Sequence, residues 1–570
     1  MIETKLISSL GKVFTDTVKG DKLKNSSVLA NEPFSFQLAF KAEKVTFPVY
    51  TKIVSDLPQD VFEEYKIDYV PLTNARMLVF DEDGYADYNT PGLYPDIMLP
   101  RKVNCDIVQS RFDPDLFTEI GQKHLLQAMP DSYNSVWFTV NADGKVLKSG
   151  EFNITVELYD ARADKLLSSN SFTLKIYEQT LPKQDFLYTA WFHADCLADI
   201  YNVEMFSDRH FEIMRNYIKE AAKTGMNMIL LPAFTPALDT PVGWERKTAQ
   251  LMKIKVVNGE YEFDFSLMER FVKMCFECGI THFEHCHFFS QWGAEHAPKI
   301  IAEVNGQEKQ IFGWDTDSLG KEYEKFLKAY LKVLLPWLDK VGIGKNILFH
   351  ISDEPGDKHL KYYDNALRII GEEIKDYMSG DAMSSYKFYE NGSVKIPIIS
   401  VKSADMPKFI ENCADFWAYY TGDSAVNNCT NRLIHHPAAR NRILGIESYY
   451  TGAKGFLNWG YNYYYDVLSQ GLFDPKINPS GFGMVNATPG ASYVVYPDYD
   501  GSALPSMRMK VFYEGINDYR ALKTYEALTG RDTAKALVEK HFGKIAFNAL
   551  VSENDILSFR EELNLAISNA

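Results

Sequence analysis

The chain has no run of about 18 apolar residues, so nothing in the sequence is suited to a membrane-spanning helix. Its start, MIETKLISSLGKVFTD, has no basic segment followed by an apolar one, and so no secretory leader is visible. The expectation is a cytoplasmic protein, or a secreted one whose leader has been removed. Positive charge is in deficit: 60 Lys and Arg face 76 Asp and Glu, for a net charge of −16. That balance argues against nucleic acid and anionic membranes as main partners. Cysteine is sparse; the seven are odd in number and scattered, which fits reduced thiols better than a disulfide framework. There is no phosphate-cradling glycine loop, no serine nucleophile elbow and no HExxH pair, so no cofactor is called for. One metal-like grouping does occur, Cys275 and Cys278 followed by His285, Cys286 and His287. The two cysteines share a helical pattern with Phe271 and Met274. His285 and His287 alternate along a predicted strand, so they share a face that Cys286 does not. No metal site is expected.

Aromatic residues are plentiful, at 14% with 34 Tyr and 37 Phe. Flat rings with polar tips suit the stacking and hydrogen bonding that sugars require, and they equally suit a large aromatic core. A length of 570 residues implies more than one domain, or a large barrel plus a smaller unit. Residues 1–180 alternate in the β manner: Phe34, Phe36, Leu38 and Phe40; Val136, Phe138 and Val140; Phe152, Ile154, Val156 and Leu158; Phe172, Leu174 and Ile176. With turn signals at Asp83-Gly84 and Asn141 to Gly144, this predicts a β-sandwich. Thr180 to Lys183 marks the boundary.

Residues 185–530 change to strand and helix in alternation, which predicts a (β/α)8 barrel. The strands are expected at 186–192, 226–231, 280–287, 346–352, 398–401, 416–419, 455–459 and 493–496. Helices are expected from Ser207, over 266–277, over 318–340 with Pro336 a kink, and from His359 to Met378. Two hairpins, turning at Asn258-Gly259 and Asn305-Gly306, are inserted on the loop side of the barrel. Residues 531–570 form a C-terminal helical segment.

The sharpest signal is HISDEPG, His350 to Gly356. An apolar run ends there in two adjacent carboxylates, Asp353 and Glu354, at the carboxyl end of the fourth predicted strand, where α/β barrels hold their chemistry. Neighbouring acids raise one another's pKa, which keeps one proton on the pair near neutrality. A helix cap or turn would use the same residue types. The other strand ends carry Trp191, His193 and Asp195; His285, His287, Gln291 and Trp292; Trp417, Tyr419 and Tyr420; Asn458, Trp459, Tyr461 and Asn462; Tyr496 and Asp498. Aromatic and hydrogen-bonding groups around two carboxylates are what a sugar pocket requires.

With GLYPDIMLP at Gly92 to Pro100, the acid pair, KGFLNWGYNYY at Lys454 to Tyr464, and the run from Tyr496 to Tyr519 carrying Ser506, Arg508, Gly515 and Asp518, the chain resembles glycoside hydrolase family 123 and the related barrels known as domain of unknown function 4091. The resemblance spans most of the chain. It implies a retaining, exo-acting β-N-acetylgalactosaminidase-like enzyme in which the 2-acetamido oxygen of the substrate is the nucleophile. Glu354 would protonate the leaving oxygen and then deprotonate water. Asp353 would hold the acetamido N–H, being ionised while Glu354 is protonated in the complex. His193, His285, Trp292, Tyr419, Trp459, Asn462, Tyr496 and Arg508 are the expected substrate contacts, with Arg508 alternatively in an ion pair with a carboxylate such as Glu447 or Glu514. The implied partner is an oligosaccharide or glycoconjugate; oligomeric state is left open. A glycosidase acting on a non-acetamido sugar would need a second, distant acid, with Asp195, Glu447 or Asp498 as candidates. A carbohydrate-binding protein without turnover is the alternative outside enzymes.

Overall fold

The structure is a computed structural model that describes residues 2–73, 83–87, 91–101, 126–238, 240–466, 469, 471–479 and 488–570. The amino-terminal part is a sandwich of two five-stranded sheets. One runs in the order Ile2–Ser8, Phe34–Ala42, Asn134–Val140, Phe62–Leu72, Gly92–Arg101; the other Asn25–Leu29, Lys165–Tyr177, Gly150–Asp160, Thr46–Val54, Leu126–Ala128. The alternation read from the sequence sets the register. Val136 lies opposite Leu38 and Phe138 opposite Phe36, and these inward side chains meet Ile154, Val156, Leu158, Phe172, Leu174 and Ile176 in one dry core.

The second part is a closed eight-stranded parallel barrel with interposed helices. Its strands are Leu187–Ala190, Met228–Leu231, His282–His285, Ile347–Phe349, Met378–Met383, Ile396–Ser400, Trp417–Tyr419 and Gly455–Asn458. Seven coincide with predicted strands. The strand at Met378–Met383 was expected to be the end of a helix; that helix stops at Ile370. MSGDAM has no aliphatic run to betray it, yet Ser379 to Met383 are buried on both faces, as a barrel strand must be. The predicted eighth strand is consequently displaced: Val495–Pro497 pairs with Ala503–Pro505 in a separate hairpin.

Local signals hold where they are strong. Ser207 accepts a hydrogen bond from the His210 N–H at 3.2 Å and caps the helix Asp208–Lys223. Asn258-Gly259 and Asn305-Gly306 all take positive φ, as a type I′ turn demands. The two hairpins join edge to edge in one four-stranded sheet, through Lys255 beside Glu303. Tyr261 and Phe263 of that sheet pack on Phe326 and Tyr330 of the helix Lys321–Lys340, which anchors it to the outside of the barrel. Among the described residues no helix is long and apolar enough to cross a membrane.

The sandwich and barrel are tied by buried charge. Arg508, near the start of the helix Met507–Thr529, donates from Nε to both oxygens of Asp96 at 3.1 and 3.0 Å, and from Nη1 to the Gly490 and Tyr493 carbonyls. Tyr496 donates to the same Asp96 at 2.5 Å. Asp96 belongs to the GLYPDIMLP strand of the sandwich. The expectation that Tyr496 and Arg508 contact sugar is therefore replaced: their polar atoms are used within this joint. The carboxyl-terminal helix Glu553–Asn569 is tied similarly, with Arg560 donating to Asp518 at 2.7 Å and to Glu32 of the sandwich at 2.5 Å. Asp518 also receives Arg442. Gly445 and Gly515 let two helices touch, since a Cβ on Gly445 would sit 1.7 Å from the Gly515 carbonyl oxygen. Removing one partner of a buried pair strands the other charge, so Arg508→Met should lower stability by about 3–5 kcal/mol, read as a lower urea midpoint.

Candidate active site

The site is built where the third and fourth barrel strands run on past their hydrogen-bonded ends. Phe288 and Phe289 donate backbone N–H bonds to the His350 and Ile351 carbonyls, Ser352 Oγ donates to the Ser290 carbonyl, and the Trp292 N–H donates to the Asp353 carbonyl at 2.7 Å. These bonds bring Trp292 beside the acid pair. Trp292 is 46% exposed and has a φ of 59°. Its neighbour Gly293 lies flat on His359, where a Cβ would come within 2.4 Å of the ring.

Glu354 has a φ of 43°, in the left-handed region that non-glycine residues seldom enter. Its N–H is held by the Ala382 carbonyl at 3.2 Å, from the end of the fifth strand. Its carboxylate accepts a 2.6 Å hydrogen bond from the hydroxyl of Tyr419, a buried residue that ends the seventh strand. Glu354 is thus on the exposed rim but tethered across the barrel mouth. Asp353 is half-buried beneath it. Burial, reinforced by the Glu354 charge, pushes the Asp353 carboxyl well above the usual carboxylate range, against the pull of the His350 cation. In the ligand-free protein this holds a proton on Asp353. This polarity is the reverse of the one expected for the substrate complex.

Below the pair lies a charged cluster that the sequence reading did not single out. His350 Nε2 bonds Glu284 Oε2 at 2.7 Å and His350 Nδ1 faces Asp381 Oδ1 at 3.3 Å, all three side chains being fully buried. Burial opposes a charge on His350, but hydrogen bonds from it to Asp381 and Glu284 outweigh this and raise its pKa to about 10. Glu284 is further held by the Trp191 indole at 3.0 Å and by Thr189; Asp381 receives the Ile351 N–H at 2.9 Å and the Tyr363 hydroxyl at 2.6 Å. Asp381 hid in the unrecognised fifth strand. Glu284 lay within the third predicted strand and was not picked out there. His287, His350 and Asp381 are grouped closely enough for metal ligation. With both nitrogens of His350 committed to carboxylates and the ring cationic, the set does not fit a metal ion.

The remaining expected contacts divide. His193 Nε2 bonds the Trp459 carbonyl at 2.9 Å, its Nδ1 accepts from Arg246 at 3.2 Å, and its backbone is bracketed by the Asn462 side chain at 2.9 and 3.0 Å. Burial and the Arg246 charge lower the His193 pKa to about 3. His193 and Asn462 therefore shape the junction of the first and eighth strands, and the Trp459 ring, half-buried against Tyr463, stands over it. His285 is turned away from the mouth. Its Nε2 meets the Tyr330 hydroxyl at 2.8 Å, its Nδ1 the Cys286 carbonyl at 2.6 Å, and its ring stacks on Phe288. Both nitrogens are committed in the core, so the expected sugar contact is not met; alternation along the strand had put it on the wrong face.

Glycoside hydrolase 123, catalytic domain, is the family model that matches, over residues 191–525. The chain belongs to glycoside hydrolase family 123. It is similar over 100% of its length to 98% of a family 123 glycoside hydrolase from Clostridium perfringens, a structure concerned with glycolipid glycan hydrolysis, at a TM-score of 0.71 and 14% identity. At that identity the likeness is one of fold. A family 39 glycoside hydrolase from Bacteroides cellulosilyticus WH2 aligns with 89% of this chain and 82% of its own at a TM-score of 0.31 and 8% identity, too low to carry an argument. Among curated proteins there is no significant match. A family 123 catalytic domain makes this chain a glycoside hydrolase with a carbohydrate substrate, and the acid pair at the barrel mouth lies inside the matched residues.

His350 gives the site a pH signature. Its pKa is higher in the folded chain, about 10, than the ordinary 6.5. Its ion pairs therefore stabilise fully below pH 6.5 and fade as pH rises through 10. The gap in urea midpoint between the wild type and His350→Gln should be widest at or below pH 6.5 and narrow steadily towards pH 10. A constant gap would remove the imidazolium from this cluster.

Proposed function

We propose that the protein is a retaining, exo-acting β-N-acetylhexosaminidase of the N-acetylgalactosaminidase type, using the 2-acetamido group of its substrate as the nucleophile. The observation that carries this reading is the tethered acid pair, set against the fate of the candidate second acids. Asp195 is locked by Arg246 through two 2.8 Å bonds and is buried. Glu447 is buried and accepts the Ala549 N–H at 3.0 Å, beside the carboxyl-terminal segment. Asp498 is buried in the separate hairpin, where its carboxylate accepts the Tyr499 N–H. A mechanism with a protein nucleophile needs a second carboxylate facing the sugar about 5–5.5 Å from the first. These positions are spent elsewhere, whereas a nucleophile supplied by the sugar needs only an acid/base and an anion for its N–H.

In the first step the acetamido oxygen bonds to the anomeric carbon as the glycosidic bond breaks, and the Glu354 proton passes to the departing oxygen. Asp353 accepts the acetamido N–H and balances the positive charge of the cyclic intermediate. Water then attacks the same carbon and gives its proton to Glu354 while the bond from the acetamido oxygen to that carbon breaks, so two inversions give retention. The ligand-free polarity of the pair fits this sequence. An incoming N–H donor favours the charged form of Asp353, so binding releases the proton that burial holds there. The half-exposed rings of Trp292 and Trp459 offer faces for stacking.

Glu354→Gln should lower kcat/KM by about 10²–10⁴-fold on an oligosaccharide or other poor leaving group, and Asp353→Asn should be damaging whatever the leaving group. A thiazoline mimic of the cyclised sugar should inhibit the wild type and bind Asp353→Asn more weakly. Retained activity in both variants would remove the assignment. Aryl N-acetyl-β-galactosaminide, N-acetyl-β-glucosaminide and plain β-galactoside compared side by side give the sugar; hydrolysis of the last at comparable rate favours a non-acetamido glycosidase.

The pair must keep one proton to act. Because burial and the Glu354 charge raise the Asp353 carboxyl, kcat/KM should fall only on an alkaline limb well above the ordinary carboxylate range. Asp353→Asn removes the repulsion and should shift that limb to lower pH. A limb that does not move in the variant would separate it from the pair.

A further inference from the structure

His287 stands three residues beyond Glu284, on the mouth side of the buried cluster. Its ring stacks on His350 at 4.6 Å between centroids and takes the edge of Trp191 at 5.2 Å. It is 3% exposed, and neither ring nitrogen has a hydrogen-bond partner. Nearly every buried polar group in a folded protein is satisfied, and leaving one bare is costly. Here two bare nitrogens belong to one ring, next to the segment that delivers Asp353 and Glu354. His193 and His285, the other histidines expected at the site, have all their nitrogens engaged, so His287 differs from its neighbours in having capacity to spare.

We infer that His287 is the residue at the floor of the sugar subsite that reads a ring hydroxyl of the substrate through one of its ring nitrogens. This rests on the glycosidase reading above and names a specificity contact for it. The chemistry matches a hydroxyl more closely than a charged group. Burial and the flanking His350 and His285 rings hold His287 well below its ordinary pKa, so the imidazole is neutral throughout the working range. A neutral imidazole can donate its N–H to a hydroxyl oxygen or accept the hydroxyl proton at its other nitrogen, whichever faces the sugar. The stack on His350, itself clamped by Glu284 and Asp381, fixes the ring plane before the sugar arrives. A site built to bond a hydroxyl rejects the analogue lacking it more strongly than an apolar pocket rejects an extra one, because the imidazole is then left bare.

The test pairs His287→Phe, which keeps a flat ring in the stack, with single-deoxy versions of the best aryl glycoside of the wild-type enzyme. In the wild type one deoxy position should cost about 10- to 100-fold in kcat/KM. His287→Phe should lose a similar factor on the parent glycoside and show no further loss at that one position, while the other deoxy penalties persist. If His287 only supports the core, the variant lowers all substrates together and every deoxy penalty survives, which overturns the inference. Should the phenylalanine variant not fold, crystals of the wild type soaked with N-acetylgalactosamine or galactose decide. A ring nitrogen of His287 within about 3.2 Å of a sugar hydroxyl supports it, and a seated sugar with His287 bonded only to water overturns it. An enzyme that cleaves plain galactosides but no acetamido sugar would defeat the proposed function while leaving the deoxy series on galactose as a test of His287. An enzyme that neither cleaves nor binds any of these sugars would sink both.

Discussion

One buried cation between two buried carboxylates underlies this site. An imidazolium in the centre of a barrel is unfavourable alone, since moving an ion out of water costs several kcal/mol even after the protein relaxes. Glu284 and Asp381 reverse that balance for His350, and each is itself satisfied by further donors: Trp191 and Thr189 on one side, Tyr363 and the Ile351 N–H on the other. Five of the barrel's elements are thereby linked through one ring. The helix Leu360–Ile370 is drawn in by Tyr363, and the backbone just before the acid pair is pinned by Asp381. The cluster fixes where Ser352 ends and Asp353 begins, and its cation moderates the rise in the Asp353 pKa. The acid pair is placed by a charge network one layer below it.

Above that layer the backbone carries strain. Glu354 at a φ of 43° and Trp292 at 59° both occupy a conformation that costs side-chain-bearing residues energy. They persist because other bonds determine them: Trp292 N–H to the Asp353 carbonyl, Glu354 N–H to the Ala382 carbonyl, and the Tyr419 hydroxyl to the Glu354 carboxylate. The consequence is geometric. In an ordinary extended strand Asp353 and Glu354 would face opposite ways. The left-handed turn at Glu354 breaks that alternation at the point where one carboxyl is half-buried and the other stays on the rim. A simple helix cap would need no such departure, which favours chemistry for this pair over the capping reading that the sequence also allowed.

Much of this was legible in the residues, for physical reasons that also mark where legibility stopped. The sandwich declared itself by strict alternation, as at Phe36, Leu38 and Phe40, because one face is wet and one dry. Met228–Leu231 declared itself as an apolar run because both its faces are covered. Met378–Met383 is equally buried but uses Ser379, Gly380 and Asp381, since Asp381 answers His350 and Gly380 gives way to the Ile396 backbone, which a Cβ would meet at 2.2 Å. Polarity required by the site erased the hydrophobic signature of the strand. At the candidate site, Asp353, Glu354, Trp292 and Tyr419 could be picked out because position at a strand end is a local property, and the structure brings the four together. His285 and His287 looked alike in sequence, and only the packing of Tyr330 against one and His350 against the other separates a core histidine from an unsatisfied one.

The longest sequence signatures of the resemblance lie away from the chemistry, and the structure gives the reason. Ser506 accepts the Met509 N–H and donates to the Val494 carbonyl, Arg508 clamps Asp96, Gly515 receives Gly445, and Asp518 gathers Arg442 and Arg560. Apart from the local bonds of Ser506, these contacts cross between segments distant in sequence, and two cross from barrel to sandwich or carboxyl-terminal helix. Buried ion pairs of this kind add little net stability over apolar packing, but they admit one arrangement only, because any other leaves charges bare. The seam helix Met507–Thr529 follows the last barrel strand in the chain. Holding it in register keeps the eighth strand against the first, where His193, Asn462 and Trp459 interlock. The sandwich therefore acts on the site through geometry: it contributes Asp96 to the joint that locates Arg508, and the barrel end inherits its position from that joint.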